Sequence, residues 1–226
     1  MKNPIYLINR LKERLSGEHS ITLSQAILMV ISSKWKRIFY SFTALYGKTK
    51  LRLWGASVGK KFKLQGFLVL ETYGRIVIGD NVRINSGPLH VGGSDRRTAF
   101  RVGRKGVLTL KDGAGMTNST ISCSNSVTIG ENVLIGGGCE ILDSDGHQTN
   151  PFDRNSKKGK IKNSPIVIEK NVFVGGLSII KHGVTIGEGS VIGTGSLVIK
   201  SIPPHEIWAG VPAKFIKKIE KKSPKD

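Results

Sequence analysis

From residue 168 onward an aliphatic side chain recurs every six positions, as Ile168, Val174, Ile180, Ile186, Ile192 and Val198. Four residues after each stands a small or β-branched one: Val172, Ser178, Val184, Ser190, Ser196 and Ile202. A second block repeats the pattern with Ile129, Ile135 and Ile141 accompanied by Val133 and Cys139, and Ile121 and Cys123 extend it backwards. Upstream, Ile78, Val82 and Ile84, and before them Val58, Phe62 and Leu64, keep the rhythm more loosely. Six residues make a short strand plus a corner, with the aliphatic and its companion turned inward on one pleated face. Three such sides close a coil. A lone coil cannot bury its apolar face, so coils stack and their aliphatics align into ladders. The period therefore predicts an all-β core, a parallel β-helix over residues 55–202. An antiparallel sandwich would space its turns at roughly 8 to 12 residues. Glycines follow several of the aliphatics, at Gly130, Gly136, Gly175, Gly187 and Gly193. They are expected to supply corner conformations that other residues resist.

The rhythm breaks between Ile141 and Ile168, which are 27 residues apart and out of register. The segment between them has turn-forming and charged composition, from Asp143-Ser144-Asp145-Gly146-His147 to the basic run Lys157-Lys158-Gly159-Lys160. A loop over 142–165 is expected to leave the coil there, and inserted loops in solenoids are where function is usually placed. A weaker interruption covers Gly92 to Lys105. Ahead of the repeats, Ile27, Val30, Ile31, Ile38, Phe42 and Leu45 fall at helical spacings, predicting a partly helical extension over 1–54. Behind them Pro203-Pro204 stops strand propagation. Phe215, Ile216 and Ile219 then suggest a short helix between Pro212 and Lys222, within a tail over 203–226.

Charge narrows the partners. The net charge is +19 in 226 residues. Residues 1–63 hold 13 Lys or Arg against 2 Glu, and residues 214–226 hold 6 Lys against 2 acids, so the long middle keeps only +4. The ends could face anionic lipid, a phosphorylated ligand or nucleic acid. Lys34, Trp35, Lys36, Arg37, Phe39 and Tyr40 would suit peripheral contact with an anionic membrane. Nucleic acid is the less favoured partner. Cys123 and Cys139, the only thiols, fit a reduced interior. Neither a signal-peptide run nor an apolar stretch of about 20 residues is evident, so a cytoplasmic protein is expected.

The segment from Ile129 to Ile219 resembles the hexapeptide-repeat acetyltransferases, which include galactoside, maltose and capsular-sugar O-acetyltransferases. The resemblance is carried by Ile129-Gly130-Glu131-Asn132-Val133, Asp143-Ser144-Asp145-Gly146-His147, Val184-Thr185-Ile186-Gly187-Glu188-Gly189 and Ala209-Gly210-Val211-Pro212-Ala213-Lys214. It implies a left-handed coil, a homotrimer, and acetyl-CoA as co-substrate in the cleft between neighbouring prisms.

Within that resemblance His147 is the catalytic candidate, since the family's histidine sits at this place and imidazole suits removal of a hydroxyl proton near neutral pH. Asp143 and Asp145 flank it, either as orienting carboxylates or as loop caps. Asn118 stands about where related enzymes bind the acceptor, although a corner asparagine in a left-handed backbone is the competing reading. Phe173 takes a slot where many members carry tryptophan. Gly176, Thr194 and Gly195 match positions along the pantetheine arm, with the Gly176 N–H a candidate oxyanion donor. Lys200, Lys214 and Lys217 match basic positions near the nucleotide phosphates. The implied reaction is O-acetylation of a sugar, which could be lipid-linked, in surface-glycan synthesis, without a metal. The alternatives are N-acetylation of a nucleotide-linked amino sugar and a non-catalytic binding scaffold.

Overall fold

A computed structural model describes residues 23–87, 96–148, 150–152 and 161–220. The chain divides into two compact units, residues 1–42 and 43–226. One helix, α1 (Leu23–Leu53), runs through the boundary. Lys50 and Arg52 lie in its last turn, where cations offset the partial negative charge of the open carbonyls. Gly55, at φ +79°, follows, and Ala56 N–H returns to Leu51 O. The helix residues of the second unit seat themselves on the first coil. Thr43 donates to Leu64 O and accepts from Gly66 N–H, and Leu51 is fully buried.

Twenty short strands follow among the described residues, and as far as the eighteenth every third one returns to the same sheet. The first sheet stacks β1 (Ser57–Val58), β4 (Arg75–Ile78), β7 (Val107–Leu110), β10 (Ser126–Ile129), β13 (Ile166–Ile168) and β16 (Thr185–Ile186). The second holds β2 (Lys63–Gly66), β5 (Arg83–Ser86), β8 (Gly115–Thr117), β11 (Leu134–Ile135), β14 (Phe173–Val174), β17 (Val191–Ile192), β19 (Glu206–Gly210) and β20 (Ala213–Lys218). The third holds β3 (Val69–Thr72), β6 (Ala99–Val102), β9 (Thr120–Cys123), β12 (Glu140–Leu142), β15 (Ile179–Lys181) and β18 (Leu197–Val198). All pairings are parallel except β19 with β20, so the core is the parallel β-helix that the period of six predicts.

Register turns that period into three inward ladders. One reads Ile78, Leu110, Ile129, Ile168, Ile186. The next reads Ile84, Met116, Ile135, Val174, Ile192, and the third Phe100, Ile121, Ile141, Ile180, Val198. The companions are buried too, and the serines among them spend their hydroxyls on nearby carbonyls: Ser178 on Gly175 O, Ser190 on Pro203 O and Ser196 on Gly193 O.

Three expectations need correction. The repeat glycines do not hold the left-handed corners, which fall instead to residues such as Asn81, Asn132 and Asn171, at φ between 54° and 59°. Glycine is needed where one coil rests on the next: a Cβ on Gly130 would stand 2.6 Å from the Glu169 carbonyl carbon, and one on Gly175 would stand 2.6 Å from Thr194 N. The interruption after Gly92 ends earlier than Lys105, because Ala99–Val102 is strand β6 with Phe100 and Val102 buried. The alternation there is short, with Arg101 alone between the two core residues. The tail forms a hairpin, not a helix. The exposed edge of β17 takes up β19, which in turn pairs with β20, and Trp208 meets Phe215 edge-on at 6.3 Å.

Candidate active site

The out-of-register loop leaves the prism after β12 and returns into β13. Its two stems run side by side: Ser144 bridges Asn163, Asp145 N–H donates to Lys162 O, and Ser164 N–H donates to Asp143 O. Two carboxylates fix this base. Asp143 is fully buried, and its two oxygens accept from the N–H groups of Ser124 and Asn125, each at 2.7 Å. Charge assistance makes both bonds strong. Asp145 Oδ1 accepts from Lys181 Nζ at 3.0 Å and lies 3.2 Å from His182 Nε2. Chiefly the hydrogen bond from Lys181, aided by the charges of Lys181 and His182 against a smaller opposing effect of burial, holds this carboxyl below its ordinary 3.8.

His147 follows directly, exposed, and its imidazole makes no hydrogen bond with the described residues. Neither aspartate is bonded to it. Asp143 closes the β9–β10 corner and Asp145 ties the loop to β15, so both hold the base of the loop that carries His147. A cleft of about 270 Å³ opens beside that loop, lined by Glu71, Tyr73, Arg101, Ser124, Ser144 and Gly146 among others. On its third-sheet wall, where the two residues are register partners, Arg101 Nε lies 3.6 Å from Glu71 Oε1. Hydroxyls, an ion pair and the residue next to His147 thus converge on one hollow suited to a polyhydroxy ligand.

The other predicted residues lie at different places. Asn118 adopts φ +44° and is buried; its Oδ1 accepts from Gly87 N–H at 2.8 Å, the geometry of a corner asparagine. It shares the edge between the second and third sheets with Gly176, Thr194 and Gly195. There Gly195 N–H donates to Gly176 O, while Gly176 N–H donates to no backbone carbonyl among the described residues. His147, His182 and Lys200 lie at the edge between the third and first sheets. One chain therefore places these residues at two edges, with the third sheet between them. Phe173 stands half-exposed on the outer face of the second sheet, in a ladder with Leu134, Val191 and Ile207.

The hairpin changes how the two tail lysines relate. Lys214 and Lys217, three apart, would share a face of a helix but not of a regular strand. A bulge between Ile207 and Trp208 absorbs the odd residue, so Lys214 pairs with Ala209 and Lys217 with Ile207. Ala209 and Ile207 are two apart on β19, which returns both lysines to one side. Lys181 carries no signal in the sequence, and His182, at a corner, reads there as a solvated surface side chain until Asp145 is placed beside it. Tyr73, Glu71 and Arg101 escaped the sequence reading because their strands keep the six-residue rhythm loosely. Among the described residues no cluster of histidine, cysteine and carboxylate side chains could hold a metal.

Residues 165–200 match the family of bacterial transferase hexapeptides (six repeats), and residues 126–146 match the hexapeptide repeat of succinyl-transferase. Galactoside O-acetyltransferase of Escherichia coli (strain K12) is 45% identical over 102 residues, which is 45% of this chain and 49% of that protein, so the chain spans about half of this relative's length. Among solved structures, maltose O-acetyltransferase of Clostridium difficile 630 is 27% identical, with a TM-score of 0.50 over 77% of this chain and 75% of that one. AntD, an N-acyltransferase of Bacillus cereus solved with dTDP-4-amino-4,6-dideoxyglucose and coenzyme A, shares the fold, with a TM-score of 0.61 at 23% identity over 77% of this chain and 90% of that one.

Proposed function

Because the chain belongs to the hexapeptide-repeat acetyltransferase family, we propose that it transfers the acetyl group of acetyl-CoA to a sugar hydroxyl, with His147 as general base. The observation that carries this reading is the placing of His147: an imidazole with no hydrogen bond to the described residues, on the out-of-register loop that leaves the coil after β12, beside a hollow lined with hydroxyls. The acetyl donor and sugar acceptor follow the galactoside and maltose O-acetyltransferases to which the chain is similar. The coil is read as left-handed and the acceptor as a surface-glycan precursor in the cytoplasm.

A thioester carbonyl is electrophilic enough for direct attack. His147 takes the hydroxyl proton as the sugar oxygen bonds to the carbonyl carbon. The Gly176 N–H, from a second copy, meets the oxyanion. When the C–S bond breaks, the imidazolium returns its proton to the departing thiolate, so no acyl-enzyme forms and no metal takes part. Lys200, Lys214 and Lys217 serve as point charges for the coenzyme's phosphates. The division of these residues between two edges supports a homotrimer in which one prism's loop faces the next prism's glycine edge. The apolar ladder of Leu134, Phe173, Val191 and Ile207, exposed at Leu134 and Phe173, supports it too.

The test is release of coenzyme A from acetyl-CoA against a panel of sugar acceptors. Turnover with neutral or acidic sugars that disappears in His147→Ala supports the reading. Turnover only with nucleotide-linked amino sugars would replace it by N-acetylation, and undiminished turnover in His147→Ala would remove His147 from the mechanism.

A further inference from the structure

In the first unit, α1 presents Leu28, Ile31, Trp35, Ile38 and Phe42, all between 48% and 68% exposed. At about 100° per residue these five fall within an arc of roughly 80°. Lys34 and Lys36 flank that arc on its two sides and, like Arg37, are exposed. Phe39 and Tyr40 extend the aromatic content, their rings 5.9 Å apart. The segment from Leu23 to Leu53 contains no Asp or Glu at all. No helix among the described residues is long and apolar enough to cross a membrane.

An apolar stripe this wide needs a cover, and charge decides which. The alternating spacing of three and four would also suit a seam between copies of this helix. Such a seam would bring Lys34 and Lys36 of one copy beside bases of another, with no carboxylate on the helix to offset them. Anionic lipid headgroups supply the missing charge, acyl chains accept the stripe, and lysine stems reach from one to the other. Tryptophan at the edge of the apolar layer fits the same boundary. We propose that residues 28–42 lie flat in the interface of a bilayer containing anionic lipid, with Leu28, Ile31, Trp35, Ile38 and Phe42 immersed and Lys34 and Lys36 at the headgroup phosphates. This stands independently of the reaction proposed above, and it would hold the protein where lipid-linked acceptors are found.

The experiment is flotation of the full chain with vesicles of phosphatidylcholine alone or mixed with phosphatidylglycerol. Partition is expected to be at least about tenfold higher on the anionic vesicles and to weaken with salt. Two variants, Trp35→Ser with Ile38→Ser, and Lys34→Glu with Lys36→Glu, should each lower it by at least about tenfold while leaving the thermal melt unchanged. Equal partition on both vesicle types, no partition, or variants that float like the parent would overturn the proposal. So would a variant that loses oligomeric mass in light scattering while the parent ignores vesicles, since the stripe would then be a seam between copies.

Discussion

The stacked coils and the loop that leaves them are ordered by different means. Inside the prism, order comes from repetition: Ile141 lies between Ile121 and Ile180, and each of them between others like itself, all fully buried. The loop has no such neighbours. Its described base is held by two carboxylates, one buried against backbone N–H groups and one held by Lys181 and His182. Stability and chemistry are thereby separated, and substitutions should divide the same way.

The largest expected effect falls on activity alone. Replacing His147 by Ala should slow coenzyme A release by about 10²- to 10⁴-fold, the usual contribution of a general base, with no change in the melting temperature, because the side chain is exposed. A large loss of stability in this variant would break the separation. The complementary change, Ile180→Ala, empties part of a ladder and should cost about 2 to 5 kcal/mol in urea unfolding. The fraction that remains folded should turn over at the parent rate.

How much of this could be read beforehand follows from the same contrast. The prism was legible from Ile168 to Val198 because each buried aliphatic writes its period directly into the chain. It was less legible at Phe100 and Val102, where the alternation spans only two core residues. The glycine slots were seen but given the wrong reason, since close approach of successive coils leaves no trace in a single repeat. In the tail, Phe215, Ile216 and Ile219 fit a helical spacing, and only the open edge of β17 decides for strands. At the site, His147 could be picked out because the rhythm breaks around it and the resemblance puts a histidine at that place. The partners of Asp143 and Asp145 could not, because Ser124, Lys181 and His182 come from other coils.

Asp143 lies where the two regions join. Replacing it by Asn puts an N–H₂ group where one of two backbone donors needs an acceptor, at a cost of about 1 to 3 kcal/mol. Cys123, at the end of β9 beside that corner, reports the change. Burial first, and the charge of Asp143 second, push its thiol up to about 12. In the parent it should resist thiol reagents at pH 8 until the protein unfolds. Asp143→Asn removes the second cause and loosens the corner, so labelling should quicken and begin at lower pH. Unchanged labelling would mean that Asp143 does not hold this corner.

The smallest effect is expected at Asp145. Its pair with Lys181 is partly open to water, the side chains being 24% and 28% exposed, so screening limits its worth to about 0.5 to 1 kcal/mol. The sign with pH follows from the lowered carboxyl. A group ionising more easily when folded stabilises the protein fully above its ordinary value of 3.8, and that stabilisation is lost as pH falls through the lower folded value. The gap in urea midpoint between the parent and Asp145→Asn should therefore be constant from about pH 5 upward and should close below about pH 4. Coenzyme A release should respond more than stability does, falling severalfold at pH 7, because the pair holds the loop on which His147 is carried rather than the prism. If the variant loses stability but keeps full turnover, the pair belongs to the prism, and the loop's geometry rests on Asp143 alone.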